Sequence, residues 1–114
     1  MDLDKIKQIV REFSSERNWD KYHTPKNLSM ALSVEASELV EIFQWLTQDE
    51  SKNIDSKEIQ SVKDEIADIL IYLIRIADKL DIDLEEAVLE KIKKNGEKYP
   101  VELSKDNAVK YNKR

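Results

Sequence analysis

Two acidic pairs, Glu35 with Glu38 and Glu65 with Asp68, stand out because each lies in an otherwise apolar stretch. Residues three apart share one face of a helix. Wound as a helix, the stretch "SVEASELVEIFQWL" puts Leu28, Leu32, Leu39, Ile42 and Leu46 within roughly 60° of Glu35, so this carboxylate lies in the middle of an oily stripe. An unpaired carboxylate there is costly and must be neutralised by a proton, a cationic side chain or a metal ion. If the two pairs sit on antiparallel neighbouring helices, four carboxylates converge in the interior of a bundle. Oxygen donors alone suit Mg²⁺, with Mn²⁺ as a substitute, rather than zinc or copper.

Aromatic and basic residues extend the pattern. Trp45 follows Glu38, and Tyr72 follows Glu65, at seven residues, which is two helical turns on the same face. A flat ring beside a metal–carboxylate centre is what a nucleotide needs, with its base on the ring and its phosphates on the metal. In "EKIKKNGEKYP", Lys91 and Asn95 share a face and Lys98 follows beyond the expected helix end. Beside a metal site they become candidate phosphate clamps, although lysines also favour a last helical turn through the helix dipole.

The elements that must position these residues are helices. Leu3, Ile6, Val10 and Phe13 recur at helical spacing, predicting a helix from about Asp4 to Arg17. Thr24 and Pro25 form a start signal, with an N-cap hydroxyl and a proline at the first helical position, for a second helix running to about Leu46. Asp55 with Glu58 opens a third, apolar on nearly every side at its centre, that continues to about Leu80. Asp83 with Glu86 opens a fourth, which Gly96 is placed to end in a left-handed conformation. From about residue 97 to 114 the expectation is an irregular tail packing on a neighbour.

Bulk composition agrees. A chain of 114 residues implies a single domain, 1–114, and one Gly with two Pro leaves too few turn residues for an all-β fold. Without cysteine there is no disulfide, thiolate zinc site or cysteine nucleophile, and His23 is the single histidine. The run "IADILIYLIRIA" is too short and too charged, with Asp68 and Arg75, to span a bilayer, and the N-terminus lacks the regions of a signal peptide. A cytoplasmic protein without membrane contact is therefore expected. The net charge of −5 argues against nucleic-acid binding. One helix apolar nearly all round in so short a chain favours a homo-oligomer.

Four segments in order, "ERNWDKYHTPKNL", "EASELVEIFQW", "DEIADILIYL" and "NGEKYPVELSKDNAVKY", resemble the all-α MazG-like nucleotide pyrophosphohydrolases, and within them the dCTP pyrophosphatase branch. The resemblance covers about residues 9 to 112, except the loop from Thr47 to Lys57. It implies a helical bundle completed between subunits, often as a tetramer built as a dimer of dimers. It also implies Mg²⁺-dependent hydrolysis of a deoxynucleoside triphosphate, dCTP or a related one, between the α and β phosphates, giving the monophosphate and pyrophosphate. Carried over by position, Glu35, Glu38, Glu65 and Asp68 fall on metal ligands, with Glu38 and Glu35 as candidate catalytic groups. Trp19, Asp20, Lys21, Tyr22, His23, Trp45 and Tyr72 fall on nucleotide-contacting positions, and Lys91, Asn95 and Lys98 on phosphate-contacting ones. Val10 stands where the dCTP-specific branch can carry a histidine.

A reading of another class fits the same residues: a non-catalytic oligomeric helical module that binds a cation or a basic partner through its acidic cluster.

Overall fold

The computed structural model describes residues 1–110 and 112, and its regular elements are all helical. The fold is all-α. Its residues group into two compact units, Met1–Ile82 and a second from Asp83 onward.

In the first unit α1 spans Leu3–Glu16, one residue from its expected ends, and the Asp2 side chain caps it by accepting from the Lys5 N–H. Asn18 leaves the helix in the left-handed region (φ 56°), which lets the Asn18 and Trp19 N–H groups bond back to the Ser15 and Ser14 carbonyls. Asn tolerates that conformation better than most residues, and a chain with one glycine must use it. A 3₁₀ turn, Asp20–Tyr22, leads to Thr24, whose hydroxyl caps α2, Pro25–Phe43.

The expected end of α2 at Leu46 is corrected to Phe43. The cause lies just beyond: Thr47 adopts extended backbone to cap a one-turn helix α3, Gln48–Ser51, and a Thr47–Glu50 capping box makes both reciprocal bonds. Those bonds also hold the Glu50 carboxylate below its ordinary pKa. Helix α4, Ser56–Lys79, starts at the expected Asp55 cap. Its end repeats the device of α1: Asp81 is left-handed (φ 54°), and the Ile82 N–H bonds to the Ala77 carbonyl.

Helix α4 packs along α2, with α1 as a second neighbour. Among the described residues the buried apolar side chains are Leu28, Ile74 and Ala77, at the end of the α2–α4 pair where α2 begins.

In the second unit α5 spans Leu84–Lys98 from the expected Asp83 cap. Gly96 does not end it: the glycine has no positive φ, and the helix runs two residues further. The stop comes from Pro100, which disfavours helical backbone at Tyr99. The expected irregular tail is corrected at Val101–Ser104, which forms a one-turn helix, α6; residues 105–110 carry no helix, and 111, 113 and 114 lie outside the described residues.

Candidate active site

Helices α2 and α4 bring together Glu35, Glu38 and Glu65, each offering a carboxylate oxygen within 4.8 Å of the other two. They converge because α2 and α4 run antiparallel: Glu35 meets Glu65, while just before α2 and later in α4 His23 meets Arg75. Asp68, one turn beyond Glu65, lies outside that set of three and is exposed. Its charge still reaches the site, adding to the field that acts on Glu35 and Tyr72.

Electrostatics follow from this crowding. Glu35 is held above the ordinary carboxylate pKa, first by its hydrogen bond with Glu65, then by desolvation and by the charges of Glu65 and Asp68. Glu38 is raised in turn, chiefly by its hydrogen bond with Glu35 and the Glu35 charge. Burial and the charges of Glu35, Asp68 and Glu38 push the Tyr72 phenol upward. The aromatic ring expected beside the cluster is thus in its field.

The donor set fits a divalent cation. Glu65 Oε2 is enclosed and meets no hydrogen-bond donor, a costly arrangement for a carboxylate oxygen unless a proton or cation is supplied. All three carboxylates offer hard oxygens, the chemistry that Mg²⁺ and Mn²⁺ prefer.

Other expected site residues are distributed as follows. Trp45 lies beyond the end of α2 and is 88% exposed, so helical spacing no longer puts it on the face of Glu38. Trp19 packs edge-on against Phe13 at 5.7 Å between centroids and lies 6.2 Å from the His23 ring. Lys21 Nζ stands over the exposed Tyr22 ring. Asp20 pairs with Arg75 and Lys79, and His23 Nδ1 accepts from Arg75 Nε at 3.3 Å. Lys91 and Asn95 are exposed on α5, and Lys98, part-buried, is its last residue.

Sequence reasoning missed Arg11, Arg75 and Asp78. Arg75, almost wholly buried, donates to Asp20, His23 and Asp78, and Asp78 also accepts from Arg11. The signal was present: Arg75 interrupts the apolar run as Asp68 does, and Asp78 follows one turn on.

The MazG-like family model matches residues 30–113. The chain belongs to the MazG-like family. It is similar to dCTP pyrophosphatase 1 of Mus musculus, 40% identical over 111 residues, covering 96% of this chain and 65% of that protein. It is also similar to dCTP pyrophosphatase 1 of Homo sapiens, at 38% identity with coverage of 96% and 65%. The chain thus spans about 65% of the length of the curated relatives it matches. Among solved structures, it is similar to a pyrophosphatase from Archaeoglobus fulgidus DSM 4304, with a TM-score of 0.83 and 44% identity, covering 88% of this chain and 94% of that one.

Proposed function

We propose that this chain is a divalent-cation-dependent nucleoside triphosphate pyrophosphohydrolase that cleaves dCTP or a related deoxynucleotide to the monophosphate and pyrophosphate. The observation that carries this reading is the convergence of Glu35, Glu38 and Glu65 around an enclosed oxygen with no donor. The relatives named dCTP pyrophosphatase supply the substrate class.

In this reading Glu35, Glu38, Glu65 and Asp68 hold Mg²⁺, or Mn²⁺ in its place. When bound, such a cation neutralises phosphate charge and makes water a competent nucleophile at neutral pH. Glu38 orients the attacking water and accepts its proton. The water oxygen forms a bond to the α-phosphorus, the bond from that phosphorus to the bridging oxygen breaks, and pyrophosphate leaves. Tyr72 and the Trp19–His23 segment (Trp19, Asp20, Lys21, Tyr22 and His23) hold base and sugar; Trp45 and, in the second unit, Lys91, Asn95 and Lys98 are nucleotide and phosphate contacts by the family pattern alone.

The reading includes a homotetramer, a dimer of dimers. It is supported by apolar side chains open to solvent on α2 and α4, such as Met30 (58%), Val34 (55%) and Ile66 (53%). No helix among the described residues is long and apolar enough to cross a membrane. We place the activity in the cytoplasm, with the nucleotide pool.

The test is incubation with Mg²⁺ and a panel of deoxy- and ribonucleoside triphosphates. The expected products are dCMP and pyrophosphate from dCTP; orthophosphate as the first product, or no turnover across the panel, contradicts the reading.

A further inference from the structure

We propose that Arg75 is a positioning residue that fastens the Asp20–His23 turn to α4 and fixes the His23 ring so that Nε2–H faces outward as a neutral donor to the nucleotide. The inference rests on the pyrophosphohydrolase reading for its substrate and on separate residues for its geometry.

The Arg75 side chain is 4% exposed. It serves three partners: Nε donates to His23 Nδ1 at 3.3 Å, Nη1 to Asp78 Oδ2 at 3.4 Å, and Nη2 to Asp20 Oδ1. Behind it, Arg11 Nε donates to Asp78 Oδ2 at 3.0 Å, holding the carboxylate that steadies the guanidinium. In front, Lys79 Nζ lies 3.4 Å from Asp20 Oδ1.

A guanidinium has no acceptor and does not deprotonate in proteins. The His23 nitrogen facing it must therefore offer a lone pair, and the proton of a neutral ring goes to Nε2. For stability alone, apolar residues of similar size serve as well as a buried ion network or better. What the network adds is a fixed orientation for groups on a short turn with no fully buried side chain of its own.

The clamp also lies at a useful level. Glu65 and Arg75 are ten residues apart on α4, about 15 Å of helix rise, comparable with an extended nucleoside triphosphate. A nucleotide with its phosphates at the carboxylates would lay its base and sugar toward the turn, where Trp19 and His23 stand together.

The experiment is a double-mutant cycle on dCTP hydrolysis with Arg75→Lys and His23→Gln. Lysine keeps the charge but cannot serve His23 and Asp20 with the same fork. Each single variant is expected to raise KM about tenfold with kcat within about threefold, and the double variant to be no worse than either single. Asp20→Asn, which leaves Arg75 in place and alters a half-exposed side chain, gives the same KM effect if Arg75→Lys fails to fold.

In the nucleotide-free wild type, nitrogen NMR of the single histidine is expected to show the Nε2-protonated tautomer alone, and Arg75→Lys a mixture of the two. Turnover by wild type with additive losses, an unchanged KM, or mixed tautomers in wild type overturns the clamp and leaves the enzymatic reading intact. Absence of any nucleoside triphosphate turnover by wild type overturns both.

Discussion

Arg11 on α1 and Asp78 on α4 meet through two parallel hydrogen bonds, from Nε to Oδ2 and from Nη2 to Oδ1, across 67 residues of sequence. The bond from Arg11 is the leading cause that holds Asp78 below the usual carboxylate pKa. A carboxylate depressed in the folded state adds stability above its unfolded pKa, near 4, and loses it as pH falls through the folded value. Asp78 is 10% exposed and also serves buried Arg75. Asp78→Ala is therefore expected to cost about 2–3 kcal/mol at neutral pH, with a smaller difference from wild type once pH has fallen through the lowered folded value. Urea denaturation across pH measures both.

His23 titrates with the opposite sign of charge. Its pKa is lowered, first by desolvation and then by the Lys79 charge. The unfolded chain therefore takes up its proton at higher pH than the folded one. Stability is expected to fall as pH drops from about 6.5 towards the lower folded value. His23→Gln should flatten that limb of the denaturation curve, and an unchanged slope would count against the burial of the ring.

Gly96 gives a test of the corrected helix boundary. It lies inside α5, and a Cβ built on it meets nothing within 4 Å. Gly96→Ala should raise helix content and stabilise the protein by about 0.5–1 kcal/mol. A left-handed C-cap at this position would instead make the alanine destabilising, so thermal denaturation distinguishes the two.

The legible features were those set by local rules. The Thr24–Pro25, Asp55 and Asp83 start signals act within one turn, and all three caps form. Helical periodicity likewise put Glu35, Glu38 and Glu65 on facing stripes. What failed were boundaries where two local signals compete. At Gly96 the helical propensity of the flanking residues and the stop at Pro100 outweighed the glycine; at Trp45 the capping box of Thr47 ended α2 early. The Arg75 network was not legible as a network, since Arg11 and Asp20 reach the Arg75–Asp78 pair of α4 only through tertiary packing. A charge inside an apolar run shows that a partner exists without saying which one.

Glu38 carries the chemical step in the proposed mechanism. Glu38→Gln preserves shape and removes the proton acceptor, so kcat should fall by at least about 100-fold while size-exclusion behaviour stays that of wild type. A variant retaining most of its turnover would move the base role to another residue.

The central claim is that Glu35, Glu38 and Glu65 tolerate one another because a divalent cation occupies the space among them. Thermal unfolding of wild type and Glu65→Gln, each with and without Mn²⁺ or Mg²⁺, tests this most directly. A cation bound only by the native state at 100 times its Kd stabilises by about 2.7 kcal/mol. Wild type should gain such an increment and Glu65→Gln should lose most of it. Equal gains in both proteins, or none in wild type, would contradict the account.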